Sequence, residues 1–322
     1  MNKSSNIYVD SDRGERLSNV ALLYYGEGLT QSEIAKRLQV SRVTVVNLLR
    51  EARELGIVQI RVDGKQLKEN SLARDLREAY GLTDVYISDT FEDAETNRDA
   101  ALRQLGRVAA TAFLDIVETG DRVGIAWGET VLALSEELPR VQVEKVEVSQ
   151  LIGSMMSDRV PASENCTIRI ASQIGAQCYT LHAPALASTA DLAALFREEP
   201  TISAQLDRLK TLDMVTYSIG NISDDTHMAA AGMASLEELT AARKAGAKGI
   251  ICCRYIDAEG NECHLPPTDR VIAAELTDLQ KAAKRLLVVC GNDRLEATRA
   301  ALKGGLATHL CVNSALAKAL IN

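Results

Sequence analysis

The 322-residue sequence predicts an α/β protein with an N-terminal winged helix-turn-helix and a larger domain built on a doubly wound, mostly parallel sheet. Two observations predict this fold class. Residues 30–62 hold two short amphipathic helical patterns, separated by a tight turn and followed by a run that alternates like a strand. From about residue 85 onward, short β-rich runs alternate with helical stretches, which is typical of parallel strands joined by crossover helices.

The first helix of the N-terminal motif is predicted to begin after Thr30. Thr30 can cap the helix N-terminus, and Glu33 three residues later completes a capping box. Ile34, Ala35 and Leu38 then share one helical face, where the small Ala35 lets a second helix cross closely. The pattern therefore predicts a helix that packs tightly against its successor.

The second helix is predicted to begin after its cap, Ser41, and to end at Gly56. Its first turns point outward, where a recognition helix presents side chains to base edges in the major groove. The alternation at residues 57–62 predicts the strand of a wing. The apolar stripe that faces the first helix comprises Val45, Leu48, Leu49 and Ala52.

Polar side chains on the two helices are the candidate DNA contacts. Arginine can pair with guanine and asparagine with adenine, while Arg37 is expected to contact the DNA backbone. Gln39 occupies the turn position where glycine is common. The alternative, a helical hairpin with no DNA role, is disfavoured because caps and apolar positions all fall in register. The expected contacts are Gln31, Arg37, Ser41, Arg42, Thr44 and Asn47.

The net charge of −8 looks unsuited to DNA binding, but it is unevenly distributed. Residues 1–65 hold ten Lys or Arg against eight Asp or Glu, and the rest of the chain holds 26 against 36. One weakly basic module neutralises few phosphates. Affinity is therefore expected to require two or more modules that bind together.

Composition argues against several other classes of protein. No apolar run approaches the roughly 20 residues that span a bilayer, and the first thirty residues do not resemble a signal peptide. Seven scattered cysteines indicate reduced thiols in the cytoplasm, and four widely separated histidines predict no metal cluster. Aromatic residues, at 4%, are too scarce for a single-strand stacking platform.

The larger domain is predicted to bind its ligand at the carboxyl ends of the strands, near helix N-termini. Helices are predicted at residues 94–118 and 129–138, and a turn between two edge strands is predicted at 257–261. The predicted strands cover residues 85–87, 122–126, 145–151, 178–181, 213–219, 249–255, 286–290 and 308–312.

Three segments are predicted along the chain. Residues 1–64 form the DNA-binding domain and residues 85–322 form the ligand-binding domain. Between them, residues 65–84 contain a helical pattern with apolar Leu67, Leu72, Leu76 and Tyr80. This helix is expected to act as a linker or as an oligomer contact.

Motifs along nearly the whole length resemble the SorC/DeoR-type family of sugar-responsive bacterial transcriptional regulators. The resemblance implies a dimeric or tetrameric regulator, an effector domain similar to sugar-phosphate isomerases and glucosamine-phosphate deaminases, and operator binding that a sugar or sugar phosphate changes. The motifs that carry it lie at residues 29–35, 40–42, 48–58, 123–130, 150–153, 181–185, 246–260 and 290–297.

The family's phosphate-binding loop corresponds to Gly128, Glu129 and Thr130, whose backbone N–H groups and Thr130 hydroxyl would face an anion. Gly153 and Arg294 complete the implied effector site, with Arg294 where the family often has a lysine that meets the phosphate. Without the family, residues 127–130 fit an ordinary strand-to-helix turn equally well.

Three departures from the family leave the chemistry of the effector open. Glu129 puts a carboxylate where a phosphate would be repelled but sugar hydroxyls could donate hydrogen bonds. Ile250 replaces a frequent acidic residue, and Cys253 replaces a frequent glycine. The effector is therefore expected to be a sugar, a polyol or a sugar phosphate.

Two alternatives to a regulator are disfavoured by the sequence. A sugar-phosphate isomerase with an added DNA-binding domain would need a poised base, and Glu129 is the only candidate near the implied site. A nicotinamide-cofactor sensor would need Gly-x-Gly-x-x-Gly after a strand, which Gly124 to Gly128 do not supply. The sequence therefore predicts a regulator rather than an enzyme, without a cofactor.

Overall fold

A computed structural model describes residues 11–58, 71–89, 97–155, 164–224 and 226–322. The chain divides into two compact units, Met1–Asp63 and Gly64–Asn322. The first unit contains a helix-turn-helix and the second contains a seven-stranded parallel sheet flanked by helices. The predicted α/β fold class is confirmed.

The N-terminal unit is a small helical bundle. Helix α1 (Ser11–Ala21) continues into a π-helical turn (Leu22–Gly26), followed by α2 (Gln31–Arg37) and α3 (Arg42–Glu54). Helix α1 was not predicted from the sequence, although its apolar residues recur at helical spacing. The core of the bundle comprises Val20, Leu23, Ile34, Ala35, Val45 and Leu49, and a second cluster joins Leu17 and Ala21 to Ala52.

Both predicted caps form. The Thr30 backbone N–H donates to Glu33 over 2.8 Å, and the Glu33 backbone N–H donates back to the Thr30 hydroxyl over 3.3 Å. The Ser41 hydroxyl accepts from the Thr44 backbone N–H over 3.0 Å. In the turn between α2 and α3, Gln39 adopts a left-handed φ of 53°, which explains why glycine is common there.

Two predictions fall partly outside the described residues. Of the predicted wing strand, only residues 57 and 58 are described, and neither is in a strand. Of the predicted linker helix, the described part is α4 (Ser71–Tyr80), whose Ala73 and Leu76 belong to the core of the second unit. The Tyr80 hydroxyl also donates to the Leu320 carbonyl over 2.9 Å.

The first half of the second unit alternates strands and helices close to the predicted positions. Each strand predicted in this half is found within a few residues. The helix predicted at 129–138 ends one residue early. Residues 94–96 of the helix predicted at 94–118 lie outside the described residues, and the rest of it corresponds to α5. The elements are β1 (Asp84–Ser88), α5 (Arg98–Ile116), β2 (Arg122–Ile125), α6 (Glu129–Glu137), β3 (Glu147–Gln150), α7 (Glu164–Ile174) and β4 (Gln177–Tyr179).

The second half adds a helical pair and a small hairpin before the sheet is completed. The elements are α8 (Ala190–Glu198), α9 (Pro200–Arg208), β5 (Met214–Tyr217), α10 (His227–Ala230), α11 (Leu236–Lys244), β6 (Gly249–Ile251), β7 (Arg254–Ile256), α12 (Leu276–Lys281), β8 (Lys284–Val289), α13 (Leu295–Lys303), β9 (His309–Asn313) and α14 (Ser314–Ile321).

The main sheet has the order β1-β9-β8-β5-β2-β3-β4, and all neighbouring strands are parallel. Its central strand β5 is buried at every position, because helices cover both faces of the sheet. Val123 of β2 lies opposite Met214 of β5 and Val148 of β3, which fixes the register at the centre of the domain.

One predicted strand is wrong. Residues 249–255 form not one strand but the antiparallel hairpin β6–β7, which is separate from the main sheet. Its two-residue turn, Cys252 and Cys253, has φ angles of 49° and 64°, which periodicity does not signal for non-glycine residues. The predicted turn that follows is present, since Asp257 accepts from the backbone N–H groups of Glu259 and Asn261.

Within the described ranges, none of the helices combines the length and apolar character needed to cross a membrane.

Candidate functional site

The N-terminal half of α3 presents an exposed face. Arg42 and Asn47 are exposed, and Val43 is 68% exposed, whereas Val45 on the opposite face is fully buried. An exposed valine beside polar side chains suits a major groove, where an apolar side chain can meet a thymine methyl group. Val46, which is 41% exposed, extends the same apolar surface and was not predicted.

The six predicted DNA contacts lie on α2, on α3 or at the cap of α3. Arg42 donates to Gln31 over 3.4 Å, so these two side chains bridge the helices. Asn47 accepts from Arg50 over 3.3 Å, and Arg50 is a further exposed cation that sequence analysis did not select. Both bonds are solvent-exposed and readily exchanged for bonds to DNA.

The other three candidates have local partners of their own. Arg37 pairs with Glu27 over 3.2 Å at an exposed position. The Ser41 and Thr44 hydroxyls lie 2.8 Å apart, and Ser41 also caps α3. Substitutions at Ser41 would therefore change the stability of the helix as well as any DNA contact.

A cavity opens at the carboxyl ends of β2 and β5. In the strand order of the sheet, β3 follows β2 in one direction and β8 follows β5 in the opposite direction, so the chain connections diverge between β2 and β5. Doubly wound sheets bind ligands where successive connections diverge in this way. This cavity, the crevice, is lined by Arg98, Ala126, Trp127, Gly128, Glu129, Thr130, Ile152, Ser218, Ile219, Gly220, Thr226, Met228, Ile250, Cys252, Cys253 and Arg294.

The N-terminus of α6 forms one edge of the crevice. Helix α6 begins after Gly128, and no side chain caps its first turn, so a ligand can meet the positive end of the helix. The Thr130 hydroxyl was expected to face an anion. Instead it donates to the Val288 carbonyl over 2.8 Å, which commits its proton to the sheet.

Glu129 does not stand alone in the crevice. Its carboxylate accepts from the guanidinium of Arg98 over 2.5 Å. These residues begin α6 and α5, which pack so closely that a Cβ at Gly106 would lie 2.5 Å from the Ala133 carbonyl oxygen. Burial opposes the charged form of Arg98, but the hydrogen bond and charge of Glu129 outweigh it and raise the pKa of Arg98.

Arg294 also lines the crevice and follows β8 in the chain. Its guanidinium pairs with the carboxylate of the preceding Asp293, and its side chain is only 12% exposed. Asn221 holds the same carboxylate with a 2.9 Å hydrogen bond. The second arginine of the crevice is thus also balanced by an acidic neighbour.

Gly153 is not a lining residue, which differs from the expectation. Its carbonyl accepts from Trp127 Nε1 over 3.1 Å, and Trp127 lines the crevice. A Cβ at Gly153 would lie 2.4 Å from the Pro184 carbonyl oxygen. The absence of a side chain at Gly153 therefore serves close backbone packing behind the crevice.

The β6–β7 hairpin forms a wall of the crevice. The backbones of Gly220 and Ile250 exchange two 2.9 Å hydrogen bonds, which join the hairpin to the loop after β5. Burial raises the pKa of Cys253 to about 12 and that of Cys252 further, so both thiols are protonated at neutral pH. The hairpin therefore contributes neutral, largely apolar surface.

Glu129, Thr130 and Arg294 were predicted from the sequence, whereas Arg98, Ser218 and Thr226 were not. Ser218 lies inside the predicted strand 213–219, and only the observed end of β5 at Tyr217 shows that it follows the strand. Arg98 lies ten residues beyond β1, so the strand pattern does not point to it. Among the described residues, no group of three or more His, Cys, Asp or Glu side chains is placed to hold a metal ion.

Comparisons with family models match both units. The Sugar-bind model, which describes a sugar-binding domain, matches residues 65–322. The model of sigma-70 region 4 matches residues 15–54, which include the helix-turn-helix. The first match covers most of the chain and includes every residue of the crevice.

Known proteins align along nearly the whole chain. The sequence is 32% identical to the transcriptional regulator YjhU of Escherichia coli K12, over 93% of this chain and 92% of that protein. It is 31% identical to the deoxyribonucleoside regulator of Bacillus subtilis, over 98% of this chain and 99% of that protein. The full-length sorbitol operon regulator SorC of Klebsiella pneumoniae shares the fold, with a TM-score of 0.72 at 23% identity over 97% and 100% of the two chains.

Proposed function

The chain belongs to the SorC/DeoR-type family of sugar-binding transcriptional regulators, and on this basis we propose where it reads DNA and where it binds its effector. It is a DNA-binding transcriptional regulator with a sugar-binding effector domain.

We propose that α3 enters the major groove and that Arg42, Thr44 and Asn47 read bases. The support is the exposure of Arg42, Val43 and Asn47 on the face opposite the buried stripe. Gln31 and Arg37 would contact the backbone from α2, and Ser41 would do so from the cap of α3. A palindromic or pseudo-palindromic operator follows if two such units bind together.

The crevice is the proposed effector site. The observation that carries this proposal is its position at the switch point between β2 and β5, where the N-terminus of α6 meets Arg98, Glu129 and Arg294. Gly128 and Thr130 line the crevice at the start of α6. Gly153 takes part by holding Trp127 in place rather than by contacting the effector.

The working assembly is proposed to be a dimer or a tetramer. A DNA-binding region with near-neutral charge needs a second copy for affinity. An effector that binds one quaternary arrangement better than another would change the spacing of the DNA-binding regions and hence the affinity for the operator.

Regulation without turnover is the proposed activity, and the cytoplasm is the proposed location. An isomerase would need a free carboxylate or histidine as base. Glu129 is the single carboxylate that lines the crevice in the described part of the chain, and Arg98 already holds it. All seven cysteines are free thiols, which suits a reducing compartment.

The test is selection of operator DNA from a random duplex library with the full chain, followed by anisotropy titration of the selected site. One enriched site is expected, and at least one sugar, polyol or sugar phosphate should change its affinity by about 5–150-fold. Arg294→Ala or Glu129→Gln should alter that response without changing the effector-free affinity for DNA. Failure to enrich any sequence, or a response unchanged in both variants, would contradict the proposal.

A further inference from the structure

The charged side chains of the crevice and their partners carry no net charge. Arg98 lies against Glu129, and Arg294 lies against Asp293. These four side chains provide two positive and two negative charges. A phosphate dianion placed among them would have to compete with a carboxylate for each arginine, and like charges in a partly buried site repel each other strongly.

Two of the three hydroxyl groups that line the crevice, those of Thr130 and Thr226 but not Ser218, have also committed their protons. Thr130 donates to the Val288 carbonyl over 2.8 Å, and Thr226 donates to the Asn221 carbonyl over 3.0 Å. A hydroxyl oxygen whose proton is committed can still accept a hydrogen bond but cannot donate one. These two oxygens, together with the carboxylate of Glu129, therefore call for a ligand that donates, such as one rich in hydroxyl groups.

Much of the remaining lining is apolar. It includes Ile152, Ile219, Met228 and Ile250, and the thiols of Cys252 and Cys253 are protonated. Such a surface suits the C–H edge of a small carbohydrate, whereas hydrated charge would lose its water there without compensation.

Building on the proposed effector site, we propose that the effector of this protein is an uncharged small polyol or sugar rather than a phosphate ester. Its hydroxyl groups donate to Glu129, Thr130 and Thr226 and accept from Arg98. Its C–H edge packs on Ile219 and Ile250. In this arrangement the Arg98–Glu129 pair determines specificity. Arg98 balances the charge of the Glu129 carboxylate, and the ionised carboxylate accepts hydrogen bonds from the hydroxyl groups of the ligand.

The test is calorimetric titration of the full chain with matched pairs: erythritol and erythritol 4-phosphate, D-ribose and D-ribose 5-phosphate, and 2-deoxy-D-ribose and its 5-phosphate. At least one uncharged member should bind, and its phosphate ester should bind at least tenfold more weakly. Inorganic phosphate should not compete with the uncharged member.

Glu129→Gln gives the sharper comparison. Loss of charge-assisted bonds should weaken the uncharged ligand by about tenfold or more, while the ester should bind more tightly because Arg98 is freed. The matched control is Glu137→Gln, which removes a 3.2 Å ion pair with Arg107 between the same two helices but outside the crevice. The control should leave both affinities unchanged.

Tighter binding of the ester in every pair, reduced by Arg294→Ala, would overturn this inference while leaving the proposed effector site in place. Binding of any pair that neither Glu129→Gln nor Arg294→Ala alters would overturn both. No heat from any pair would also overturn the inference, and an effector response of the operator complex to other sugars would then be the separate test of the proposed function.

Discussion

Trp127 and Gly153 are joined across the back of the crevice, since the indole Nε1 donates to the Gly153 carbonyl over 3.1 Å. The Gly153 backbone N–H donates in turn to the Ile272 carbonyl over 2.9 Å. This glycine therefore links a crevice residue to the segment that follows the hairpin. Trp127 is the only tryptophan of the chain, so its fluorescence reports on this arrangement.

Gly153→Ala should destabilise the effector domain by about 1–3 kcal/mol, because the new Cβ would overlap the Pro184 carbonyl oxygen at 2.4 Å. The protein should unfold at a lower temperature, and the fluorescence emission of Trp127 should shift to the red as its hydrogen bond loosens. Ser154→Ala is the control, because Ser154 already has a Cβ and its hydroxyl makes only a 3.5 Å contact with Gln150. An unchanged melting temperature in Gly153→Ala would contradict this role.

Thr30→Ala should destabilise the N-terminal unit by about 0.5–2 kcal/mol, because the capping box of α2 is lost. Differential scanning calorimetry of the full chain would measure the change. Ser32→Ala on the same helix is the control, since Ser32 is exposed and does not cap the helix. A variant as stable as the control would show that the cap contributes nothing.

The same substitution should alter the pH dependence of stability. The hydrogen bond from the Thr30 side chain, followed by that from the Thr30 backbone, lowers the pKa of Glu33 in the folded protein. The stabilisation by the ionised Glu33 is therefore complete above the pKa that Glu33 has in the unfolded chain. It is lost as the pH falls through the lower pKa that Glu33 has in the folded protein. The difference between wild type and Thr30→Ala should shrink on acidification over that range.

How much of the fold the sequence predicts depends on how local the cause is. The capping box at Thr30 and Glu33 and the strands of the sheet follow from short-range chemistry and periodicity, and they were predicted. The hairpin at Cys252 and Cys253 was not, because left-handed turns with non-glycine residues leave no compositional signal. Helix α1 was missed for a different reason, since its apolar spacing is present but its surroundings are strongly polar.

The crevice was predictable only in part. Glu129 and Arg294 were found because each belongs to a motif at a predicted strand end. Arg98 was missed because its role depends on the packing of α5 against α6, which brings it to Glu129 from 31 residues away. Gly153 was placed in the site by its motif, whereas its function depends on a close approach to Pro184 that no sequence pattern reveals.

The thiols should react slowly in the folded protein. Burial raises the pKa of Cys253 and Cys166 to about 12 and raises the pKa of the half-buried Cys178 and Cys263 as well. Little thiolate is therefore present at pH 7.5, and labelling by Ellman's reagent should accelerate as the pH rises. Cys178 and Cys263 should react first, and the five buried thiols should react only after unfolding.

Mass spectrometry of the labelled peptides distinguishes the sites. Cys252 and Cys253 should stay unlabelled in the folded protein, and a bound effector should not change that. Rapid modification of either residue at neutral pH would show that the hairpin opens, and it would contradict a crevice wall made of protonated, enclosed thiols.

Assembly should be visible in both light scattering and DNA binding. Residues 1–65 contain ten Lys or Arg and eight Asp or Glu, so a single copy should bind DNA weakly. The full chain is expected to be a dimer or a tetramer at micromolar concentration, and operator affinity should fall when dilution separates the subunits. Full operator affinity from a protein that scatters only as a monomer would contradict this expectation.

Asn47→Ala should weaken binding to the selected operator by about 1–3 kcal/mol and relax the preference at one base position, because asparagine pairs specifically with adenine. Arg42→Ala should do the same at a different position. Arg37→Ala is the informative comparison: its exposed guanidinium, held only by Glu27 at 3.2 Å, is expected on a phosphate. Arg37→Ala should weaken binding to all DNA sequences alike, and it should reduce the slope of log affinity against log salt concentration by about one.

Base readout and backbone contact thus predict opposite patterns in one experiment. Binding to the selected operator and to a scrambled duplex, each measured over a range of salt, separates specificity from overall affinity. If α3 lies in the major groove, Asn47→Ala lowers the ratio of the two affinities while Arg37→Ala leaves the ratio unchanged. A double variant of Arg42 and Asn47 with an unaltered footprint would remove α3 from the interface, because these are exposed polar side chains in the first turns of the helix.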